Sequence, residues 1–519
     1  MQIQTNIYFY NMSIILQTFQ DFFFAFLLFL MISISTTNLE LLAQDNFRGE
    51  KRIDQQFGKA ARQKGGKFFT TSGMVRALVV FVRFKDDNFE SENKTWPVDG
   101  RPVYFHQVVD SLAEEKKQNG SLTHLFREMS FGKLTIIGDT YQAVTERPKS
   151  WYLRHNKNYG YINKEILVRL DSVVNYANYD QWTFGRNYRH QNKPDGIVDL
   201  IIMIHRENMP PKMHPGNGIA SLGYSGKPVV VENGDLQIKL AFPGSGMSLE
   251  SGYRGKRVDW YAHEIGHKYF GSGHSGYHRD KQTTNNKSFW GLQIGNGHMV
   301  NAYERERLGW FDLPVITEDS LEIILGDFIT TGDAYRIPIP GAQDESFILE
   351  NHQQLSLFDR PNKYGDGKGV YIYHVKGNGN HPRFDIESAE GRFDWENPYW
   401  IHNPWETDPL DSIPVFKRDE PNPSGYDGFD ALPTTKKIEH KIFAEDFSGK
   451  VEFTRQLYGS EFAPFTFTDK HIFSPKSNPN SHPWDDETPS GVKIEIVGEY
   501  AGSQGESIYR VKIKLNSEN

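Results

Sequence analysis

Residues 261–274 read YAHEIGHKYFGSGH. His263 and His267 stand four apart, so a helix would project both imidazoles from one face. Neutral imidazole nitrogen suits zinc, and a catalytic zinc needs three protein ligands with the fourth position left to water. Glu264 then lies beside the metal without binding it. There a carboxylate can take a proton from a water whose pKa zinc has lowered towards ~7. The chemistry this points to is attack of water on a carbonyl carbon, without a covalent intermediate. The expected third ligand is His274, because Gly271 can end the helix in a left-handed conformation and Ser272-Gly273 can turn the chain back under the metal. His278 and Asp280 are the alternatives.

With 18 His in 519 residues, a His-Glu-x-x-His string arises by chance in about 4% of such chains, so its surroundings decide its meaning. Trp260, Tyr261, Ile265 and Phe270 give the motif apolar company, and a further His follows a Gly. A Gly-rich stretch, 243–255, leads into the helix. Further upstream, 75–84 (VRALVVFVRF) and 197–205 (IVDLIIMIH) have the β-branched density of buried strands. Ser121 caps a helical pattern of Leu122, Leu125, Phe126 and Met129, and a second pattern places Ile162, Ile166, Leu170, Val173 and Val174 on one face. Both read as helices covering a sheet.

Strands and helices alternate to about Trp310. Beyond it, alternating runs at 346–350, 369–375, 450–455, 492–497 and 508–515, bounded by Gly, Pro and Asn, predict an all-β second half. Residues 377–431, dense in Asn, Pro, Trp and Asp, show neither period and are expected to form an ordered loop. Packing is the first reading of its aromatics, and carbohydrate or protein binding the second. The expected class is α+β.

The net charge of −8 comes with acidic and basic residues intermixed, which excludes the basic stripe that nucleic acid requires. The chain has no Cys, so disulfides, thiolate ligands and a cysteine nucleophile are excluded, and a metal must sit on His, Asp or Glu. Residues 22–33 (FFFAFLLFLMIS) are apolar for a signal-peptide length rather than a bilayer span, with Ala43-Gln44 as the cleavage region. No Lys or Arg precedes Arg48, a departure from the usual positive start, and a retained amino-terminal anchor is the other reading. Export to the extracellular space or periplasm is expected, with no stable membrane association once the signal is removed.

Several ordered segments resemble one family: ALVVFVRFKDD (77–87), LFREMSFGKLTI (125–136), VDLIIMIH (198–205), AHEIGH (262–267), NAYERERLGW (301–310), SFILENHQ (346–353), KGVYIYHV (368–375) and AEGRFDW (389–395). Together they resemble the immune inhibitor A-like secreted bacterial zinc metallopeptidases. The resemblance implies a zincin fold similar to the metzincins: a twisted mixed sheet with an active-site helix, followed by a carboxy-terminal all-β domain. With the residue reading, the expected division is a signal peptide (1–44), a short propeptide or amino-terminal extension (45–72), a zincin-like metallopeptidase domain (73–313) and a β-rich region (314–519), with a β-sandwich expected. The resemblance also implies zinc on His263 and His267, Glu264 as general base, protein or peptide substrates and structural Ca2+ without named ligands.

One departure concerns the third ligand. The metzincin pattern places Gly three residues after the second His; here Phe270 stands there, and Gly271 and His274 come one residue later. Met299 is either the methionine turn beneath the metal or plain core. Residues 301–310 read as a packed helix ending at Gly309, with Leu308 and Trp310 buried, and are assigned no chemistry. Tyr261, Tyr269 and Tyr277 are candidate donors to a developing oxyanion, with core packing as the other reading of each.

Asp86-Asp87-Asn88 and Asp485-Asp486-Glu487 carry calcium-type oxygens without a recognised loop spacing, so a solvated surface is the first reading. KYGDGKG (363–369) reads as a turn before a strand. Two other functions are carried as alternatives: a secreted non-catalytic binding protein retaining the fold, which an intact Glu264 argues against, and a zinc hydrolase of a non-peptide bond, which the motif alone does not exclude.

Overall fold

Alternation along β1 (Gly73–Arg83) sends Val75, Ala77, Val79 and Phe81 into one apolar cluster and Leu78, Val80 and Val82 into another. A strand apolar on both sides needs cover on both sides, and the surrounding elements supply it. The computed structural model describes residues 63–517 except 89–94, 115–116, 186–187, 211–212, 215–217, 226, 251, 253–254, 274–287, 294, 360–366, 381, 388, 390–398, 403–411, 416–437, 447–448, 458–463 and 485–489. These residues belong to the unit Phe57–Asn519. The expected leader and most of the expected propeptide lie outside the described residues.

After β1 comes α1 (Leu122–Met129), capped as expected by Ser121, whose hydroxyl accepts from the His124 N–H at 3.2 Å. β2 (Leu134–Val144) then pairs in parallel with the whole of β1. α2 (Lys149–Arg154) and α3 (Tyr159–Leu170) follow. α3 stops at Leu170, so the expected continuation to Val173 fails: Val173 is 65% exposed, while Val174 remains buried. β3 (Ile201–His205) pairs with the other side of β1. It starts later than the apolar run suggested, because Ile197 bridges to Gln237 and Asp199 bonds the N–H groups of Gln181 and Trp182.

β4 (Gly218–Ile219) and β5 (Gly246–Leu249) complete a five-stranded sheet in the order β2-β1-β3-β5-β4. β5 lies inside the stretch read from sequence as a Gly-rich lead-in. The sheet is parallel except for β4, which runs antiparallel to β5 at the edge. α3 covers one face through Ile162, Ile166 and Leu167. α1 and the long helix α4 (Val258–Phe270) cover the other.

Then come a short parallel pair, β6 (Ser288–Trp290) and β7 (Gly295–Met299), and the helix α5 (Ala302–Arg307). The elements that follow include β8 (Ser320–Leu325), the one-turn helix α6 (Phe328–Thr331), β9 (Ala334–Pro338), β10 (Glu345–His352), β11 (Gly369–Lys376), β12 (Arg383–Glu387), β13 (Ile472–Phe473), β14 (Lys493–Ala501) and β15 (Ser507–Lys514). They form two antiparallel four-stranded sheets, β9-β10-β11-β12 and β8-β15-β14-β13. The run expected at 450–455 lies in a hairpin of Ile438–Asp446 with Gly449–Leu457. Residues 377–431, read as lacking a strand period, contain β12 and the pair Tyr399–His402 with Ser412–Val415. Strands of four or five residues are too short to show a period.

β10 and β11 show why these sheets stack. Phe347, Leu349, Val370 and Ile372 face an apolar cluster shared with Val511 and Ile513 of β15. Ile348, Tyr371, Tyr373 and Val375 face the cluster that contains α1 and α4. The fold is therefore mixed α/β, with several sheets and few helices. Among the described residues no helix is long and apolar enough to cross a membrane.

Candidate metal centre

Tyr261, Ala262, Ile265 and Tyr269 of α4 enter the core, at the i, i+1, i+4, i+8 spacing of one helix face. This leaves His263 and His267 together, with ring centroids 5.1 Å apart and ring planes at 84°. The Nδ1–H of His263 donates to the Leu292 carbonyl at 2.5 Å, and the Nδ1–H of His267 to the Gly271 carbonyl at 3.0 Å. A carbonyl oxygen only accepts, so Nδ1 carries the proton in both rings, and in each neutral ring the lone pair is on Nε2. This is the tautomer in which metal-binding histidines are held. Burial pulls His267 down to about 4, outweighing the Gly271 contact, so the ring is neutral near pH 7.

Glu264 is 7% exposed, and burial pushes its carboxyl up to about 8. A buried acid that follows one imidazole and precedes another in sequence, with His267 held neutral by burial, is one whose charged form a divalent cation would stabilise. The donor set thus fits zinc as far as it is described: two Nε2 lone pairs one helical turn apart with an acid between them in sequence. His274, His278, Asp280 and Tyr277 lie outside the described residues. Among the described residues no group of three or more His, Cys, Asp or Glu is placed to hold a metal.

Three glycines make the geometry feasible. At Gly266, within the motif, an added Cβ would sit 2.9 Å from the Leu292 Cβ and 2.7 Å from the Gln293 Nε2. Its absence lets the 292–293 backbone approach the helix, offsetting the cost of about 1 kcal/mol that glycine brings to a helix interior. Gly271 ends α4 with φ 101° and ψ −174°. This corrects the left-handed cap expected from sequence: the chain leaves in an extended positive-φ conformation open essentially only to glycine. That turn points the Gly271 carbonyl back at His267, while the Gly271 N–H donates to the His267 carbonyl at 2.9 Å.

The third is Gly218 in the edge strand β4, where an added Cβ would lie 2.4 Å from Oε1 and 3.1 Å from Cδ of Glu264. Gly218→Ala is expected to displace the Glu264 carboxylate while leaving both imidazoles in place. If the site is a zinc peptidase centre, casein digestion should fall by roughly tenfold to a hundredfold at unchanged zinc content, the scale of a displacement of about 1 Å at a reacting group. Equal rates for the two proteins would show that Gly218 does not shape the site.

The other candidates resolve as follows. Tyr261 and Tyr269 are core residues, and Met299 is fully buried in the same cluster, with Leu292, beneath α4. Asp86 accepts the Lys149 N–H at 2.8 Å at the start of α2, and Asp87 forms a buried ion pair with Arg206. These are structural roles, and Asp87 corrects the expectation of a solvated surface there. Asp485, Asp486 and Glu487 lie outside the described residues. So does the start of KYGDGKG, whose Gly367 carbonyl accepts from the Tyr371 hydroxyl at 2.7 Å just before β11.

The sequence reading missed Gly218 and Leu292. A two-residue strand has no periodic signature, and Leu292 acts through its backbone carbonyl, which side-chain identity does not reveal. No protein-family model matches the chain, and no curated protein matches it.

Proposed function

We propose that the chain is a secreted zinc endopeptidase, acting outside the cell or in the periplasm on protein substrates. The observation that carries the reading is the pair of oriented imidazoles on α4 with Glu264 buried between them in sequence. His263 and His267 would hold the metal with a third ligand from the segment after Gly273, His274 first and His278 or Asp280 otherwise. When bound there, zinc acidifies water and polarises a substrate carbonyl. Glu264 accepts the proton of the attacking water and delivers it to the departing amine. The edge position of β4 beside Glu264 favours peptides over other acyl substrates, since an extended chain can pair with an open strand edge.

In this reading, β1–β5 with α4 form a zincin-like, metzincin-like catalytic domain, and the strands from β8 onward form its β-rich carboxy-terminal region. The likeness to immune inhibitor A-like metallopeptidases supports the same assignment.

The test is metal analysis of the purified chain with a casein digestion assay before and after chelation. About one zinc per chain is expected, with digestion lost on removal of the metal and recovered on its return. A chain that carries no zinc and digests no protein would replace this reading with that of a binding protein.

A further inference from the structure

The NAYERERLGW segment, assigned no chemistry from sequence, contains a buried acid bonded to the 292–293 backbone that touches α4. Glu304 of α5 is 2% exposed. Its Oε2 accepts the Leu292 N–H at 2.6 Å and its Oε1 the Gln293 N–H at 2.8 Å. The Gln293 N–H and the Leu292 C=O belong to one peptide group, and that carbonyl receives the Nδ1–H of His263 at 2.5 Å. The Gln293 side chain closes the contact from the other side, its Nε2 donating to the His263 carbonyl at 2.9 Å. A carboxylate, a peptide and an imidazole therefore stand in one line of hydrogen bonds.

We infer that Glu304 is a positioning residue for the candidate metal site, holding the Leu292–Gln293 peptide so that its carbonyl orients and polarises His263. The inference rests on the zinc reading above. Metal-binding histidines commonly donate their second N–H to a carboxylate, which fixes the ring and raises the basicity of the liganding nitrogen. Here a peptide group is interposed, and a chain of hydrogen bonds passes polarisation along itself. The ordinary role of an acid three residues after an Asn cap is to serve its own helix. Asn301 does cap α5, accepting the Glu304 N–H at 2.9 Å. The Glu304 carboxylate also spans to residues 292 and 293, a different segment, which capping does not require.

α5 is a firm base for this. Its first N–H, from Ala302, donates to buried Glu350 of β10, and Leu308 and Trp310 beyond it are buried. The missing side chain at Gly266 gives the peptide its place against α4.

The experiment compares wild type, Glu304→Gln, Glu304→Asp and Asn301→Ala for zinc affinity, by competition with a chromophoric chelator, and for the visible spectrum with Co2+ in place of zinc. Glutamine offers one acceptor and sets an NH2 against the second N–H, so zinc binding should weaken about tenfold to a hundredfold, the usual cost of losing such a partner. The Co2+ spectrum should shift with it. Glu304→Asp, which keeps two acceptor oxygens, should recover part of the loss. Asn301→Ala, which weakens the α5 cap and leaves the carboxylate, should bind zinc as wild type does. Thermal melts of the metal-free proteins show which variants are folded; if Glu304→Gln is not, Glu304→Asp against Asn301→Ala decides.

Wild-type affinity and spectrum in the Glu304 variants, or an equal loss in Asn301→Ala, would overturn the positioning role and leave the peptidase reading standing. Failure of wild type to bind zinc would overturn both.

Discussion

On the zinc-peptidase reading proposed above, Glu264→Ala should retain zinc and lose casein digestion by at least about a thousandfold, within the range for removal of a general base. Retention is expected because the two imidazoles are oriented by Leu292 and Gly271, and Glu264 takes no part in either contact. Loss is expected because Glu264 is the buried acid next to His263 and three residues before His267, with Gly218 of β4 facing it. The same substitution should raise the melting temperature of the metal-free protein. Burial pushes this carboxyl up to about 8, so its charged form is disfavoured in the fold at neutral pH, and removing it relieves that cost. Digestion within tenfold of wild type would remove Glu264 from the mechanism.

The second large effect concerns stability and lies away from the metal. His352 of β10 stands between two buried carboxylates, with Nε2 2.9 Å from Glu350 and Nδ1 3.2 Å from Asp359. Burial alone would pull this imidazole down, but Asp359 and Glu350 outweigh it and push it up to about 9. His374 of β11 repeats the pattern between Glu345 and Glu387 at 2.8 and 3.0 Å; it too is raised, against burial, by those acids.

A raised histidine stabilises the fold fully below its unfolded value, near 6.5, and ceases to as pH climbs through its folded value. Urea unfolding should therefore show stability falling between about pH 6.5 and pH 9. On the acid side Glu345 sets the limit. Its burial is outweighed by His374 and Lys376, which hold it down at about 2, so its contribution is complete above its unfolded value and fades as pH drops through the folded one.

His352→Ala removes the imidazole that stands directly between two buried acids and should cost about 3–5 kcal/mol. It should also flatten the alkaline slope, leaving the part due to His374. A variant whose pH profile runs parallel to wild type would show that His352 is not the titrating group.

Much of the framework was legible because it rests on periodicity. β1, α1, β10, β11 and β15 each carry an unbroken apolar pattern of the right length, and the motif helix is marked by its own chemistry. The extent of the sheet was less legible. β4 and β5 are two and four residues long, below the length at which alternation identifies a strand, and their Gly content reads as loop.

At the site, the imidazoles and Glu264 were legible as side-chain types at a fixed spacing. Leu292 and Gly271 contribute carbonyls, which every residue has. Glu304 was visible only as one acid of a charged helix, since nothing in its neighbours says that both its oxygens reach another segment. The polar residues inside the β half were likewise hidden: alternating strands announce which residues face inward, but not that two inward histidines will each find a pair of acids.

The sheet β9-β10-β11-β12 is buried on both faces, one against β15 and the other against the cluster that carries α1 and α4. This limits how such a chain can be altered by recombination. A carboxy-terminal appendage joined through a thin polar interface can be exchanged or lost without consequence for the catalyst. Here Ile348, Tyr371 and Tyr373 belong to the same apolar cluster as Tyr261, Ile265 and Tyr269 of α4, so a graft that replaced the strands from β9 onward would have to refill that cluster residue by residue. The two halves are therefore expected to be inherited together and to change by matched substitutions across their shared core.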